Sequence, residues 1–172
     1  MRSITRTTLV VGFSVAVAAG LAMPASAADT ITTVEVAATG GIAITAPANA
    51  DALEVTPGFD AEAGILGVEV TDNRSAKVDW AASIALTDFV GGATAAVIPA
   101  SAAEYTPTTA VVVGTATVAS STATNPVEVR TVQTATGVSG NNTATWDAAL
   151  TIPVPASALA DTYVATLTHS VL

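Results

Sequence analysis

The residues that could do chemistry in this chain are few, because it has a single histidine, His169, and no cysteine. A metal site with two histidine ligands and any thiolate chemistry are therefore excluded. A serine–histidine–carboxylate arrangement would have to use His169 as its base. Side-chain alternation puts His169 on the same face as Tyr163, Leu167 and Val171. We expect a packed, neutral imidazole that hydrogen-bonds a buried backbone or hydroxyl group, with a frayed strand end and a solvated imidazole as the alternative.

The 14 acidic residues form no recognisable catalytic or metal-binding pattern. A carboxylate pair can cleave glycosidic bonds, but sugar grooves also use aromatic platforms, and this chain has only seven aromatic residues. Calcium is harder to exclude, because acids gather in two predicted loops, although their spacing matches no defined calcium loop. The residues concerned are Asp51, Glu54, Asp60, Glu62, Asp72 and Asn73. We expect scattered surface carboxylates, no metal, no cofactor and no enzyme activity.

The N-terminal stretch has the three-part pattern of a secretory signal. Arg2 and Arg6 precede an apolar run over residues 9–21, and small residues follow at Ala25 and Ala27. The apolar run is short for a bilayer span, so we expect cleavage after Ala27 rather than retention as an anchor. This predicts a secreted, extracellular chain with no membrane span once the signal is removed.

Charge and length bound the class of the remaining 145 residues. Loss of the two signal arginines moves the formal net charge from −9 to −11, which argues against nucleic acid as a partner because phosphates need a basic patch. The length fits one domain, residues 28–172. With no cysteine to form disulfides, stability must come from burial, and 51% of the whole chain is apolar.

Alternation of apolar and polar residues dominates the domain and predicts β-strands. The pattern is strongest over residues 77–87, 144–152 and 162–171. Weaker strands rich in Val, Ile and Thr are predicted at Thr30–Ala37, Gly41–Ala46, Leu66–Thr71, Ala110–Ala119 and Val127–Thr134. Turn-forming residues separate them, including "GVSGNN" at 137–142, and "PASAAEY" and "PASALAD" could each form one helical turn. The fold class predicted is all-β, a two-sheet antiparallel β-sandwich of immunoglobulin-like type.

Three stretches resemble a known family: "VTDNRSAKVDWAASIALTDFVGG", "AVIPASAAEYTP" and the C-terminal "ATWDAALTIPVPASALADTYVATLTHSVL". Together they resemble the WxL surface domain of Gram-positive bacteria, over about residues 64–172, with Thr30–Ala46 as a preceding strand pair. The resemblance implies a secreted β-sandwich that attaches to peptidoglycan without a covalent link. Its matching positions are Asp72, Arg74, Trp80, Asp88, Phe89, Tyr163 and, in place of the second tryptophan, His169. Ala82 stands where the first Trp-x-Leu motif has leucine, and Val171 where the second has it.

Each of these residues also has a structural interpretation. Asp72 and Arg74 suit a local turn and ion pair that leads into the Trp80 strand, which we prefer to ligand contact. For Trp80 and Trp146 we prefer core packing. The leading functional hypothesis is a non-catalytic surface domain that associates with the cell wall or with partner surface proteins. The alternative is a freely secreted structural or adhesive subunit that assembles through its edge strands.

Overall fold

The computed structural model describes residues 34–35, 37–38, 40–50 and 54–172, and these form an all-β structure. The predicted signal, residues 1–27, and most of the predicted strand Thr30–Ala37 lie outside the described residues. The strands are β1 Ile42–Thr45, β2 Asp60–Asp72, β3 Trp80–Leu86, β4 Phe89–Gly91, β5 Val97–Ile98, β6 Glu104–Pro107, β7 Val111–Ser120, β8 Ala123–Thr124, β9 Arg130–Pro153, β10 Tyr163–Val164 and β11 Leu167–Val171. A 3₁₀ turn, Ala100–Ala102, interrupts them within "PASAAEY", as predicted. The described residues contain no helix long and apolar enough to cross a membrane.

The long strand β9 organises the main antiparallel sheet. Its C-terminal half pairs with β2 on one side and with β6 and the start of β7 on the other. Its N-terminal half pairs with β3 on one side and with the rest of β7 on the other. β1 continues the sheet beyond β2, and β11 continues it beyond β3. These two outer strands lie close to each other, so the main sheet is nearly closed, while β10, β4 and β5 form a small second sheet. The predicted all-β class is therefore confirmed.

The predicted turn at residues 137–142 is wrong, because β9 continues through these residues as one strand. Gly137 and Gly140 have positive φ, at 64° and 74°, as the turn chemistry suggested. The same left-handed backbone also forms β-bulges, which bend a strand without reversing it. The β7 partners accordingly jump from Asn142 to Ser139 across this region. Glycine chemistry therefore bends β9 between its two sets of partners.

Strand β2 begins at Asp60, six residues before the predicted start at Leu66. Its first half alternates between exposed acids and buried small or apolar residues, with Ala61, Ala63 and Ile65 inside. Asp60 and Glu62, predicted to lie in a loop, are on the exposed face of this strand. The short apolar side chains and Gly64 weakened the strand signal, and pairing with β9 overrides that weak local preference. "PASALAD" forms turns but no helix.

The core lies inside the nearly closed sheet and extends under the second sheet. It includes fully buried Val68, Val70 and Val132. Trp80 and Trp146 are each only 2% exposed, which matches the core-packing interpretation of both residues. The predicted strand over residues 77–87 appears as β3, which a loop precedes. The predicted strand over residues 162–171 appears as two strands, β10 and β11, separated by a break. The inward face of β3 carries Ile84 and Leu86.

Candidate functional site

Asp72 and Arg74 form a bidentate ion pair where β2 ends. The Arg74 guanidinium donates from Nε to Asp72 Oδ1 and from Nη2 to Asp72 Oδ2, both at 2.9 Å. The Arg74 backbone N–H also donates to Oδ1 at 3.0 Å. These bonds from Arg74 lower the pKa of Asp72 against the opposing effect of burial. Asp72 is only 1% exposed, so the pair sits at the edge of the core and not in open solvent.

Asn142 joins this pair to Trp80. The Trp80 indole N–H donates to Asn142 Oδ1 at 3.2 Å, and Asn142 Nδ2 donates to Asp72 Oδ2 at 3.4 Å. Sequence reasoning missed Asn142; the available signal was that a buried indole N–H needs an acceptor. Asp72, Arg74 and Trp80 are thus brought together, as an internally satisfied network that leaves no carboxylate oxygen for a ligand. This geometry agrees with the preferred structural interpretation.

Phe89, Tyr163 and His169 come together at a separate open cavity of about 1090 Å³. They reach it from three strands: β4 and β10, which pair with each other in the second sheet, and β11, which follows β10 after two residues and belongs to the main sheet. Aliphatic side chains of β2 and of the end of β9, among them Ile65 and Ile152, form its floor. The Tyr163 hydroxyl donates to the carbonyl oxygen of Leu159 at 2.9 Å, which fixes the ring at the cavity wall. Asp72, Arg74 and Trp80 do not line it.

His169 is half-buried at the cavity wall and is held by a hydroxyl group. Its Nε2 lies 3.2 Å from Tyr105 Oη, and the two rings meet edge to face with centroids 5.8 Å apart. The Trp146 indole N–H donates to the same Tyr105 oxygen at 3.3 Å. Tyr105 can then donate its own proton to a neutral imidazole. Burial lowers the pKa of His169 and raises that of Tyr105, which favours the neutral form of both. The expected packed histidine with a hydroxyl partner is therefore what the structure contains.

Asp88 lies beside the cavity but does not line it. Its Oδ1 accepts the Ala100 backbone N–H at 2.8 Å, at the start of the 3₁₀ turn. The bond ties the segment between β3 and β4 to the segment after β5. Asp88 therefore holds these two backbone segments together, and its Oδ1 is occupied by this hydrogen bond.

Asp161 is a rim residue that sequence reasoning missed. Its carboxylate accepts the backbone N–H groups of Ala93, Thr94 and Thr162 and the Thr94 hydroxyl, with the shortest bond 2.6 Å. The bonds from Thr94 are the largest cause that lowers its pKa, to about 2. Gly91 makes the arrangement possible, because a Cβ there would lie 2.5 Å from Asp161 Oδ2. Asp161 thus anchors the turn after β4 to the chain that enters β10.

The remaining acids do not gather into a metal site within the described part of the chain, where no group of three or more metal-ligating side chains occurs. Asp51, one of the acids weighed for calcium, lies outside the described residues. Asp60 and Glu62 are exposed along β2, and Glu54 lies in the loop before it. The carboxylates considered for calcium are thus divided between a strand and a loop.

No protein-family model matches this chain, and no curated protein matches it.

Proposed function

We propose that this protein is an exported, non-catalytic surface domain that binds the cell wall non-covalently through the cavity at Phe89, Tyr163 and His169. The supporting observation is convergence. Three of the seven residues singled out by the WxL resemblance meet at one open cavity, although they lie on strands of two different sheets and Phe89 is 74 residues before Tyr163. A partner surface protein is the other occupant that the resemblance allows.

The lining of the cavity suits a wall polymer with both apolar and polar faces. Phe89 and Tyr163 offer aromatic rings, which stack on the apolar faces of sugar rings. His169 adds a polar ring edge to a mostly aliphatic wall. Such a combination of apolar walls and a few placed polar groups is typical of binding sites.

The non-catalytic part of the proposal is supported by the contacts of the candidate catalytic groups. His169 Nε2 is engaged by Tyr105, so a general base at that nitrogen would first have to break this bond. Asp72 is ion-paired with Arg74, and the Asp161 carboxylate accepts hydrogen bonds from backbone N–H groups. None of these three groups presents a nucleophile–base pair to the cavity.

Co-sedimentation with purified Gram-positive cell walls tests the proposal. The secreted chain, residues 28–172, should pellet with walls, and Phe89→Ala should reduce the pelleted fraction several-fold. Val90→Ala is the matched control, because Val90 is the next residue of β4 and does not line the cavity. Equal pelleting of the two variants, or no pelleting of the wild type, would contradict wall binding through this site.

Export is tested separately by N-terminal sequencing of protein recovered from the medium. The proposal predicts a chain that begins at Ala28. A start upstream of residue 20 would mean that the apolar segment is kept.

A second candidate function is a freely secreted subunit that assembles through an edge strand. One observation favours it: β7 is a ten-residue strand with a partner on only one side among the described strands. If all mature protein stays in the medium and none pellets with walls, this candidate replaces the first.

A further inference from the structure

We infer that β7 is a self-association edge that pairs antiparallel with β7 of a second copy of this chain. This inference rests on the second candidate function and specifies its strand, partner and orientation. β7 bonds to β9 along one edge, and no described strand pairs with its other edge. An open edge presents a row of backbone N–H and C=O groups that can template another strand.

β7 lacks two of the features by which natural sheets protect an open edge. Its sequence, VVVGTATVAS, contains no charged residue and no proline. The two register shifts against β9 lie at Gly114/Thr115 and Thr115/Thr117, and β9 carries the additional residues there. Inward-facing positions therefore keep a two-residue period along β7, at Val112, Ala116 and Val118. The edge carries no charge along the whole strand, although the positive φ of Gly114, 96°, makes the backbone irregular at that residue.

The other edges are less suited to a partner. β1 and β11, the outer strands of the main sheet, lie close together and so restrict access to each other's free edges. β5, β8 and β10 are each two residues long. Among the described strands, β7 thus offers the longest free edge.

β7 suits a second copy of this acidic chain because the strand itself carries no charge. Residues 28–172 have a formal net charge of −11, so two copies repel each other over most of their surfaces. At β7 they would meet through uncharged residues only. The residue paired with Val111 is Thr145 of β9, and Thr145 pairs in turn with Glu69 of β2. The Glu69 carboxylate therefore lies two strands, or about 10 Å, from β7. The Asp147 carboxylate is turned toward β2, where it accepts the Gly67 N–H at 2.8 Å.

Two-fold pairing about Thr115 places compatible side chains opposite each other on the exposed face. Val111 would face Ala119, Val113 would face Thr117, and Thr115 would face its own copy. Val111 and Val113 are 71% and 67% exposed, so pairing would shield two large apolar side chains per chain. Such valine–threonine rows suit cross-strand contacts, and the same patch on both copies gives a closed dimer.

Analytical ultracentrifugation of residues 28–172 over a range of concentrations tests the pairing. We expect a concentration-dependent dimer for the wild type and a monomer, half that mass, for Val113→Lys. Val129→Lys is the matched control, because Val129 is 69% exposed and lies outside every strand, and it should remain dimeric. A monomeric wild type overturns both the inference and the second candidate function. A dimer that survives Val113→Lys overturns the inference alone.

A single introduced thiol tests the orientation, because the chain has no cysteine of its own. Directly opposed residues of an antiparallel pair have Cα atoms about 4.5–5.5 Å apart, within the range that a disulfide spans. Mild oxidation should therefore convert most of Thr115→Cys to a covalent dimer and leave Val129→Cys largely monomeric. Equal cross-linking of the two variants would overturn the two-fold pairing at Thr115. Wall pelleting is a separate measurement, and its outcome does not depend on the ultracentrifugation or the cross-linking result.

Discussion

Tyr105 Oη lies 3.2 Å from His169 Nε2, so the sole histidine of the chain is held by a buried hydroxyl at the wall of the cavity. The two residues are 64 positions apart and lie on β6 and β11. Trp146 donates to the same oxygen, which leaves the tyrosine proton for the imidazole. The contact suits a neutral imidazole, burial lowers the pKa of His169, and the first two predictions follow from this environment.

Stability should fall as the pH drops below about 6.5, in part through His169. Burial lowers the pKa of His169 in the folded chain, so the unfolded chain binds more protons in this window. The contribution is complete above the unfolded pKa and declines as the pH falls toward the lower folded pKa. NMR titration of the imidazole should give a pKa below about 6.5, the ordinary value for histidine, and one at or above it would contradict the buried state.

His169→Phe supplies the control for this titration. It should retain the fold, because a packed site accepts an apolar ring, and its unfolding free energy should lose the histidine part of the pH dependence. Urea unfolding of both proteins at pH 7 and pH 5 measures the difference. If wall binding requires the imidazole itself, His169→Phe should also lose pelleting while it stays folded.

Tyr105→Phe should lower the free energy of unfolding by about 1–3 kcal/mol. The change removes one hydroxyl and leaves both the Trp146 N–H and the His169 ring nitrogen without their partner. Tyr163→Phe is the matched control, because its hydroxyl bonds to the exposed Leu159 carbonyl, and it should cost less than about 1 kcal/mol. Equal losses in chemical denaturation would mean that the buried hydroxyl has no special role.

Asp72→Asn should destabilise the fold by about 1.5–3 kcal/mol, because it removes a charged acceptor of several hydrogen bonds. Glu128→Gln is the comparison: Glu128 meets Arg130 at 3.4 Å but its side chain is 76% exposed, so we expect a change within about 0.5 kcal/mol. The pKa of Asp72 is lowered, so its contribution is present above pH 3.8 and is lost as the pH falls through the folded pKa. Unfolding curves at neutral and acidic pH measure both effects, and a Glu128→Gln loss as large as that of Asp72→Asn would argue against a special role for the buried pair.

Gly91→Ala should disrupt the turn that Asp161 anchors. The new Cβ would lie 2.5 Å from Asp161 Oδ2, whereas the nearest atom to a Cβ at Gly92 is 3.8 Å away. Displacement of the carboxylate from its backbone donors should raise the pKa of Asp161 from about 2 toward 3.8. Carboxyl NMR titration of Gly91→Ala, with Gly92→Ala as the control, checks this. An unchanged Asp161 pKa in Gly91→Ala would show that the turn adapts without losing the carboxylate.

Sequence alone determined the all-β class, the inward side of His169 and the core positions of both tryptophans. The two-residue alternation of a strand can be recognised from consecutive residues, without knowledge of distant contacts. Tertiary structure decided the rest. The glycines at 137 and 140 suit either a turn or a bulge, and only pairing with β7 and the other neighbours makes β9 continuous. The partners of Trp80, His169 and Asp161 come from 62, 64 and 68 residues away, so no local pattern could name them. The cavity likewise arises where β4, β10 and β11 meet in space. Long-range pairing sets these contacts because antiparallel strands join segments that are distant in the chain, and each register depends on all the others.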